Sequence, residues 1–194
     1  MTIFDPGTAL VVVDVQNDFA DPNGSLAVPG GLEVVSAANA AIARARVGGA
    51  TVVYTQDWHP AHTPHFAQDG GIWPVHCVQG TWGAAFHPGL EVTGEVIRKG
   101  VGGEDGYSAF SVRDPASGIV SATLLERLLR DRRVERVVVV GLATDYCVLD
   151  TVRDARALGF GAEVITEAIR AVDLHDGDGE RAIRQMREAG AELA

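Results

Sequence analysis

Residues 136–148 read RVVVVGLATDYCV, and this stretch decides the fold. It begins with a run of four valines, which is typical of a strand buried on both faces, as in a parallel sheet. Gly141 ends the apolar run. Thr144 and Asp145 are good helix N-caps, so a helix is predicted from this point through about Leu158.

Cys147 falls in the first turn of this predicted helix, just past the carboxyl end of a central strand. Unpaired backbone N–H groups and the helix dipole favour negative charge there. We therefore expect a thiol that loses its proton easily and acts as a nucleophile. The alternative is a small core residue, because free cysteines are often buried. This segment alone leaves both interpretations open.

Length and composition limit the remaining classes. A chain of 194 residues predicts a single domain over residues 1–194, and 46% hydrophobic with 22% charged residues is ordinary for a globular protein. The net charge of −10 argues against nucleic acid and against an anionic membrane as partners. No membrane-spanning run and no signal peptide are recognised. Two cysteines make no disulfide framework, so the cytoplasm is the expected location.

Strand and helix patterns alternate along the chain. Repeated βα units predict a three-layer α/β/α fold, with a mostly parallel, doubly wound sheet of about six strands. The functional site of such a fold lies at the carboxyl ends of the strands. Strands are predicted at 9–15, 51–56, 95–99, 136–140, 162–166 and at the extreme C-terminus, and helices at 30–47, 121–132, 144–158 and 179–189.

Three chemically useful side chains follow three of these strands. Asp14 ends the first strand, Lys99 ends the third, and Cys147 follows the fourth. Each has an ordinary alternative, since Asp14 could cap a turn and a lysine at a strand end is usually solvated. Because the ends of parallel strands meet at one edge of the sheet, we expect the acid, the lysine and the thiol to converge.

The segment after the second strand carries a second group of polar residues. Asp57, His59, His65 and His76 offer one carboxylate and three imidazoles, a ligand set that suits one divalent ion such as Zn, Fe or Mn. A single loop histidine is usually just solvated, but this clustering favours a metal site. His62 is a rival for His65, and spacing alone does not separate the two.

Several motifs together resemble those of one family. The resemblance is to the nicotinamidases (pyrazinamidases) among the isochorismatase-like cysteine hydrolases, and the motifs cover most of the chain in that family's order. They are VVDVQNDF (12–19), DWHP (57–60), WPVHCVQGTWGAAFHP (73–88), RKG (98–100), YSAF (107–110) and GLATDYCV (141–148).

The resemblance implies roles for named residues. It implies a catalytic triad and, beside it, a metal site, a pocket for a flat aromatic ring and an oxyanion hole made of two backbone amides. It also implies a cis peptide bond between Leu142 and Ala143. The triad is Asp14, Lys99 and Cys147; the metal ligands are Asp57, His59, His65 and His76; the ring pocket is Phe19, Trp73 and Tyr107; and the oxyanion amides are those of Ala143 and Cys147.

The implied reaction is hydrolysis of nicotinamide to nicotinate and ammonia through a thioester, serving NAD salvage, with pyrazinamide as an analogue. One alternative is another small-amide hydrolase of the superfamily, although those relatives generally lack the metal cluster. Another is a catalytically silent metal-binding scaffold, which predicts an eroded triad. Cys77 is expected to be a packed structural thiol. Whether the protein forms a homo-oligomer stays open.

Overall fold

The computed structural model describes residues 2–194. Strands and helices alternate through most of this range, and a second, short pair of strands lies between the third and sixth. The strands are β1 (Thr8–Val13), β2 (Thr51–Asp57), β3 (Glu95–Lys99), β4 (Ser111–Arg113), β5 (Val120–Ala122), β6 (Arg136–Leu142), β7 (Gly161–Arg170) and β8 (Glu192–Leu193); the helices are α1 (Asn17–Ala20), α2 (Gly31–Val47), α3 (Leu125–Asp131), α4 (Leu149–Ala157) and α5 (Asp178–Glu188).

The main sheet has six strands in the order β3-β2-β1-β6-β7-β8. Every neighbouring pair in it is parallel, so the predicted mostly parallel sheet is confirmed. From β1, the strands β2 and β3 extend to one side and β6, β7 and β8 extend to the other. In such sheets the ligand-binding crevice opens where the strand order changes direction in this way. The last residues form the β8 edge, as predicted. The sheet draws its strands from β1 to β8, and a single domain over residues 1–194 stays a prediction.

The two faces of the sheet have separate apolar cores. Along β1, Ala9, Val11 and Val13 pack on one face, while Leu10 and Val12 pack on the other. This alternation follows from the period of two in a strand. Helix α2 contributes to the second core, and α3, α4 and α5 contribute to the first. The predicted three-layer α/β/α fold is therefore confirmed.

The helix predicted over 121–132 is shorter than expected and begins at Leu125. Ser121 does not cap it, because Ser121 lies in β5 and pairs with Val112 of the antiparallel β4–β5 hairpin. Leu124 holds the N-cap position without a side-chain cap bond, and the residue before it is Thr123. The Thr123 hydroxyl accepts the N–H of Leu125 (3.1 Å) and donates to the carbonyl of Ala109 (2.7 Å).

The predicted caps after β6 are also wrong. The chain makes a π-helical turn over Thr144–Val148 before α4, and Ala143 occupies the N-cap position. The carboxylate of Asp145 instead accepts the N–H groups of Val172 and Asp173, both at 2.9 Å, and so ties this turn to the end of β7. The peptide bond between Leu142 and Ala143 is cis, as the resemblance implies.

A glycine is required where β6 passes β1. Gly141 has φ +119°, and a Cβ there would collide with the backbone of Val13, its partner in register. The close approach brings the turn after β6 beside the end of β1 and thus places Cys147 near Asp14. No helix within residues 2–194 is both long and apolar enough to cross a membrane.

Candidate active site

Lys99 lies at the centre of the polar cluster at the carboxyl edge of the sheet. Its Nζ is 2.7 Å from Asp14 Oδ2 and 3.5 Å from Cys147 Sγ. It also donates to the carbonyls of Gly106 and Tyr107, the latter at 3.2 Å. Lys99 is fully buried, so the alternative of a solvated strand end is wrong. The structure thus brings together the three side chains that follow β1, end β3 and follow β6.

Asp14 is held by its neighbours on both sides. The Thr55 hydroxyl donates to Asp14 Oδ1 at 2.6 Å and accepts the Asp14 N–H at 3.2 Å. The residue has φ +47°, a sparsely populated conformation for an aspartate that persists only where the surroundings determine it. The carboxylate is therefore fixed against Lys99.

The electrostatics of this buried set depend on Lys99. Burial opposes the charged ammonium, but Asp14 and Asp57 outweigh it and raise the pKa of Lys99 well above its ordinary value. Burial likewise opposes the charged carboxylate of Asp14 and raises its pKa, although Lys99 acts in the other direction. Asp14 is consequently a stronger base than an exposed aspartate, as proton transfer near neutral pH requires.

The expectation that Cys147 loses its proton easily is wrong for the structure as it stands. Burial raises the pKa of this thiol well above 9.0, and Asp14 adds to the increase, whereas Lys99 opposes it. The helix dipole does not prevail, because the thiol is only 7% exposed and faces carboxylates as well as the ammonium. Cys147 is therefore a neutral thiol that needs a base, and Asp14 is in place to act as one.

Three histidines form a second cluster next to Asp57. One ring nitrogen from each of His59, His65 and His76 lies within 4.8 Å of the others. Asp57 Oδ2 is 3.5 Å from His59 Nε2 and 3.8 Å from His76 Nε2. His62 is placed elsewhere, with its side chain 80% exposed and paired to Asp69. The arrangement brings together the three histidines of the set that contains His65 rather than His62, and Asp57 contacts two of them.

The cluster fits a metal ion on the chemistry of its donors. Both ring nitrogens of the buried His59 lack a hydrogen-bond partner within residues 2–194. An unpartnered buried nitrogen is costly, and a metal ion would use one of the two. His76 donates from Nδ1 to the carbonyl of Pro74 (2.7 Å), and this fixes the ring for ligation through Nε2. Three imidazoles and a carboxylate are a set that divalent ions such as zinc accept.

A small cavity, with about 30 Å³ of space for water centres, lies between the thiol and the histidines. Trp73 Nε1 donates to the Tyr107 hydroxyl at 2.8 Å, which fixes two of its aromatic walls. Burial raises the pKa of Tyr107, so its hydroxyl keeps its proton. The lining consists of Phe19, Leu26, Asp57, His65, Trp73, His76, Tyr107, Ala143, Tyr146, Cys147 and Val172.

All three residues expected to hold an aromatic ring therefore face one cavity, and so do the two residues expected to form an oxyanion hole. Sequence reasoning missed Leu26, Tyr146 and Val172 in the lining. Val172 follows the end of β7, and the rule that sites form at strand ends could have identified it. Tyr146 sits beside Cys147 in the π-helical turn, whereas Leu26 lies in an irregular segment that carries no signal.

Cys77 is buried and free, and its Sγ lies 4.0 Å from the carbonyl oxygen of Gly83. Burial, with Asp57 next in effect, raises its pKa well above the ordinary value. These observations agree with the expectation of a packed structural thiol.

Comparison with known proteins agrees with this geometry. A family model described as the isochorismatase domain matches residues 8–194. The chain belongs to the isochorismatase family. This isochorismatase-family chain is 40% identical over 206 residues to a nicotinamidase of Escherichia coli, an alignment that covers 97% of the chain and 94% of that protein.

Solved structures resemble this isochorismatase-family chain over nearly its whole length. A protein of L. infantum in complex with nicotinate has a TM-score of 0.89 and 37% identity, covering 100% of this chain and 95% of that one. A pyrazinamidase of Pyrococcus horikoshii in complex with zinc has a TM-score of 0.85 and 36% identity, covering 97% and 99%.

Proposed function

We propose that this protein is a nicotinamidase, which hydrolyses nicotinamide to nicotinate and ammonia for NAD salvage and accepts pyrazinamide as an analogue. The observation that carries the proposal is a single small aromatic cavity with a thiol–acid–lysine cluster on one side and a histidine cluster on the other. The likeness to nicotinamidases over nearly the full chain supports the choice of substrate.

The proposed acylation step uses Asp14 and Cys147. Asp14 takes the proton from the Cys147 thiol as sulfur bonds to the amide carbon, and the carbonyl oxygen becomes an oxyanion. The C–N bond then breaks, and the same proton passes from Asp14 to the departing amine, which leaves as ammonia. A nicotinoyl thioester on Cys147 remains.

Deacylation reverses these roles. Asp14 takes a proton from water as the water oxygen attacks the thioester carbon, and the C–S bond breaks when the thiol recovers that proton. The acid formed loses its remaining proton to solvent and leaves as nicotinate, and the cluster returns to its starting state. We assign oxyanion stabilisation to the N–H groups of Ala143 and Cys147, and loss of one such donor typically costs about 3–4 kcal/mol. Lys99 keeps the carboxylates paired throughout and favours the thiolate as it forms.

Asp57, His59, His65 and His76 would hold one divalent metal ion at the far wall of the cavity. When bound, the ion would supply a Lewis acid for the ring nitrogen of nicotinamide, so its contribution is substrate binding and orientation. Phe19, Trp73 and Tyr107 would enclose the flat ring between this wall and Cys147. Zinc is the ion that the Pyrococcus horikoshii pyrazinamidase structure contains, and the choice among Zn, Fe and Mn is open to measurement.

The test is ammonia release from nicotinamide by the purified, metal-loaded protein, with Cys147→Ala as the matched control. We expect turnover by the wild type and none above background in the variant. Pyrazinamide in the same assay is expected to give ammonia as well. A wild type that releases no ammonia from either amide contradicts the proposed substrate class, and an active Cys147→Ala contradicts the nucleophile.

A further inference from the structure

A carboxylate outside the four metal-ligating side chains contacts one of them. Asp105 lies in the segment between β3 and β4, and its Oδ1 is 2.8 Å from His65 Nδ1. The side chains are 23% and 4% exposed, respectively. A hydrogen bond of this length to a carboxylate is strong and largely shielded from solvent.

The contact determines which nitrogen of His65 is free. Since Asp105 accepts the proton on Nδ1, the lone pair of the neutral ring is on Nε2. His65 stacks on His59 with ring centroids 4.7 Å apart, so a rotation of the His65 ring would disturb both imidazoles. A neighbouring carboxylate also makes the imidazole a more basic ligand.

Asp105 is itself held in place. Its backbone N–H donates to the carbonyl of Arg113 (2.8 Å), and its carbonyl accepts the Arg113 N–H (2.9 Å). The next two residues, Gly106 and Tyr107, accept hydrogen bonds from Lys99 through their carbonyls. The segment is therefore anchored to β4 and to Lys99, and the carboxylate points at His65 from a fixed backbone.

The same chain offers a comparison pair. His62 Nδ1 lies 3.2 Å from Asp69 Oδ1, but the His62 side chain is 80% exposed and lies outside the histidine cluster. Asp69 and Asp105 are thus two aspartates outside the expected ligand set that each contact a histidine of this loop region. Of these two contacts, the His65–Asp105 contact is the buried one and is joined to the cluster.

We propose that Asp105 is a positioning residue for metal binding, which orients His65 and fixes its tautomer so that Nε2 is presented to the ion. The proposal rests on the proposed function only in that the histidine cluster holds a divalent metal. It concerns affinity for the ion and needs no nicotinamide hydrolysis.

The test measures Zn²⁺ affinity by competition with a chromophoric chelator on metal-stripped full-length protein. Removal of such an outer partner typically costs about 10–100-fold in metal affinity. We expect a loss in this range for Asp105→Ala, and a loss in the same direction for Asp105→Asn, which keeps the shape but not the charge. Asp69→Ala is the matched control and is expected to bind Zn²⁺ like the wild type.

A second measurement separates a role through His65 from a general structural role. In a His65→Ala background, Asp105→Ala should cause little further loss of affinity, because the residue it positions is gone. Unchanged affinity in both single variants overturns the proposal, and so does an equal loss on top of His65→Ala. Zn²⁺ binding by a protein that releases no ammonia from nicotinamide would refute the proposed function and leave this proposal standing.

Discussion

Lys99 Nζ lies 3.3 Å from Asp57 Oδ1, so one buried ammonium contacts both the proposed metal ligand and, at 2.7 Å, Asp14. Burial opposes the charge on Asp57, but Lys99 and His59 outweigh it and hold the pKa of Asp57 well below its ordinary value. The acid–thiol side and the histidine side of the cavity therefore share a single cation, and a change at Lys99 is expected to affect both.

Replacing Lys99 with methionine tests this sharing. The variant leaves two buried carboxylates without their counterion, and breaking a buried ion pair in this way costs about 3–5 kcal/mol. We expect the free energy of unfolding, measured by urea denaturation, to fall by that amount. Activity should fall by at least the roughly 10²–10⁴-fold that general acid–base catalysis contributes.

The matched double variant is Lys99→Met with Asp14→Asn, which removes one of the stranded charges. We expect it to be more stable than Lys99→Met alone although equally inactive. A double variant less stable than Lys99→Met would mean that the electrostatic account of this cluster is wrong.

The lack of a side chain at Gly100 leaves the space that the His59 ring occupies. Gly100 has φ +70°, and a Cβ there would lie 2.6 Å from His59 Nδ1. Gly100→Ala should therefore lower Zn²⁺ affinity, measured by chelator competition, as well as stability. Gly80→Ala is the control, because Gly80 has φ +76° but open space around the added Cβ. Each variant should lose about 1–2 kcal/mol of folding stability from backbone strain. Only Gly100→Ala should bind Zn²⁺ more weakly than the wild type.

The pH dependence of alkylation tests the protonation state of Cys147. Burial raises the pKa of its thiol above 9.0, so the thiolate fraction, and with it the rate, should keep rising with pH past that value. Iodoacetamide labelling followed by peptide mass spectrometry measures the rate at each cysteine. Cys77, which is fully buried, is expected to react more slowly still. A plateau near neutral pH would support an acidic thiol instead.

The hydrogen bond between Trp73 and Tyr107 supports the aromatic walls. Tyr107→Phe leaves the buried Trp73 N–H without its acceptor, which typically costs about 1–3 kcal/mol. We expect lower stability in urea and a raised KM for nicotinamide with kcat little changed. Tyr146→Phe, which alters the same cavity without touching this bond, should leave stability near that of the wild type. Equal losses in the two variants would argue against the role of the bond.

Much of the fold was predictable because its strands bury both faces. The valine run that became β6 and the similar run in β1 are rich in β-branched residues, which favours strands buried on both faces. The starts of α3 and of the turn before α4 were mispredicted. Ser121 and Asp145 are good caps by residue type, yet one pairs in a hairpin and the other bonds across to the end of β7. Such long-range partners are invisible to local pattern.

The candidate site was likewise predictable from the sequence only in part. Asp14, Lys99 and Cys147 could be placed together because strand ends converge, and the motif resemblance added the ring pocket. The choice of His65 over His62 depends on which side chain folds inward, and local spacing does not fix that. Asp105 could not be found, since its partner lies 40 residues away in the chain. The raised thiol pKa was missed because burial outweighs the helix dipole.

The most direct test of the central claim is to trap the acyl-enzyme. The metal-loaded protein is mixed with nicotinamide, quenched in acid during turnover and analysed by intact-protein and peptide mass spectrometry. The account predicts a nicotinoyl group on the peptide that contains Cys147, absent from Cys147→Ala. Steady ammonia release by an enzyme that stays unmodified under conditions where deacylation is slowed, or a nicotinoyl group on any other residue, would contradict it.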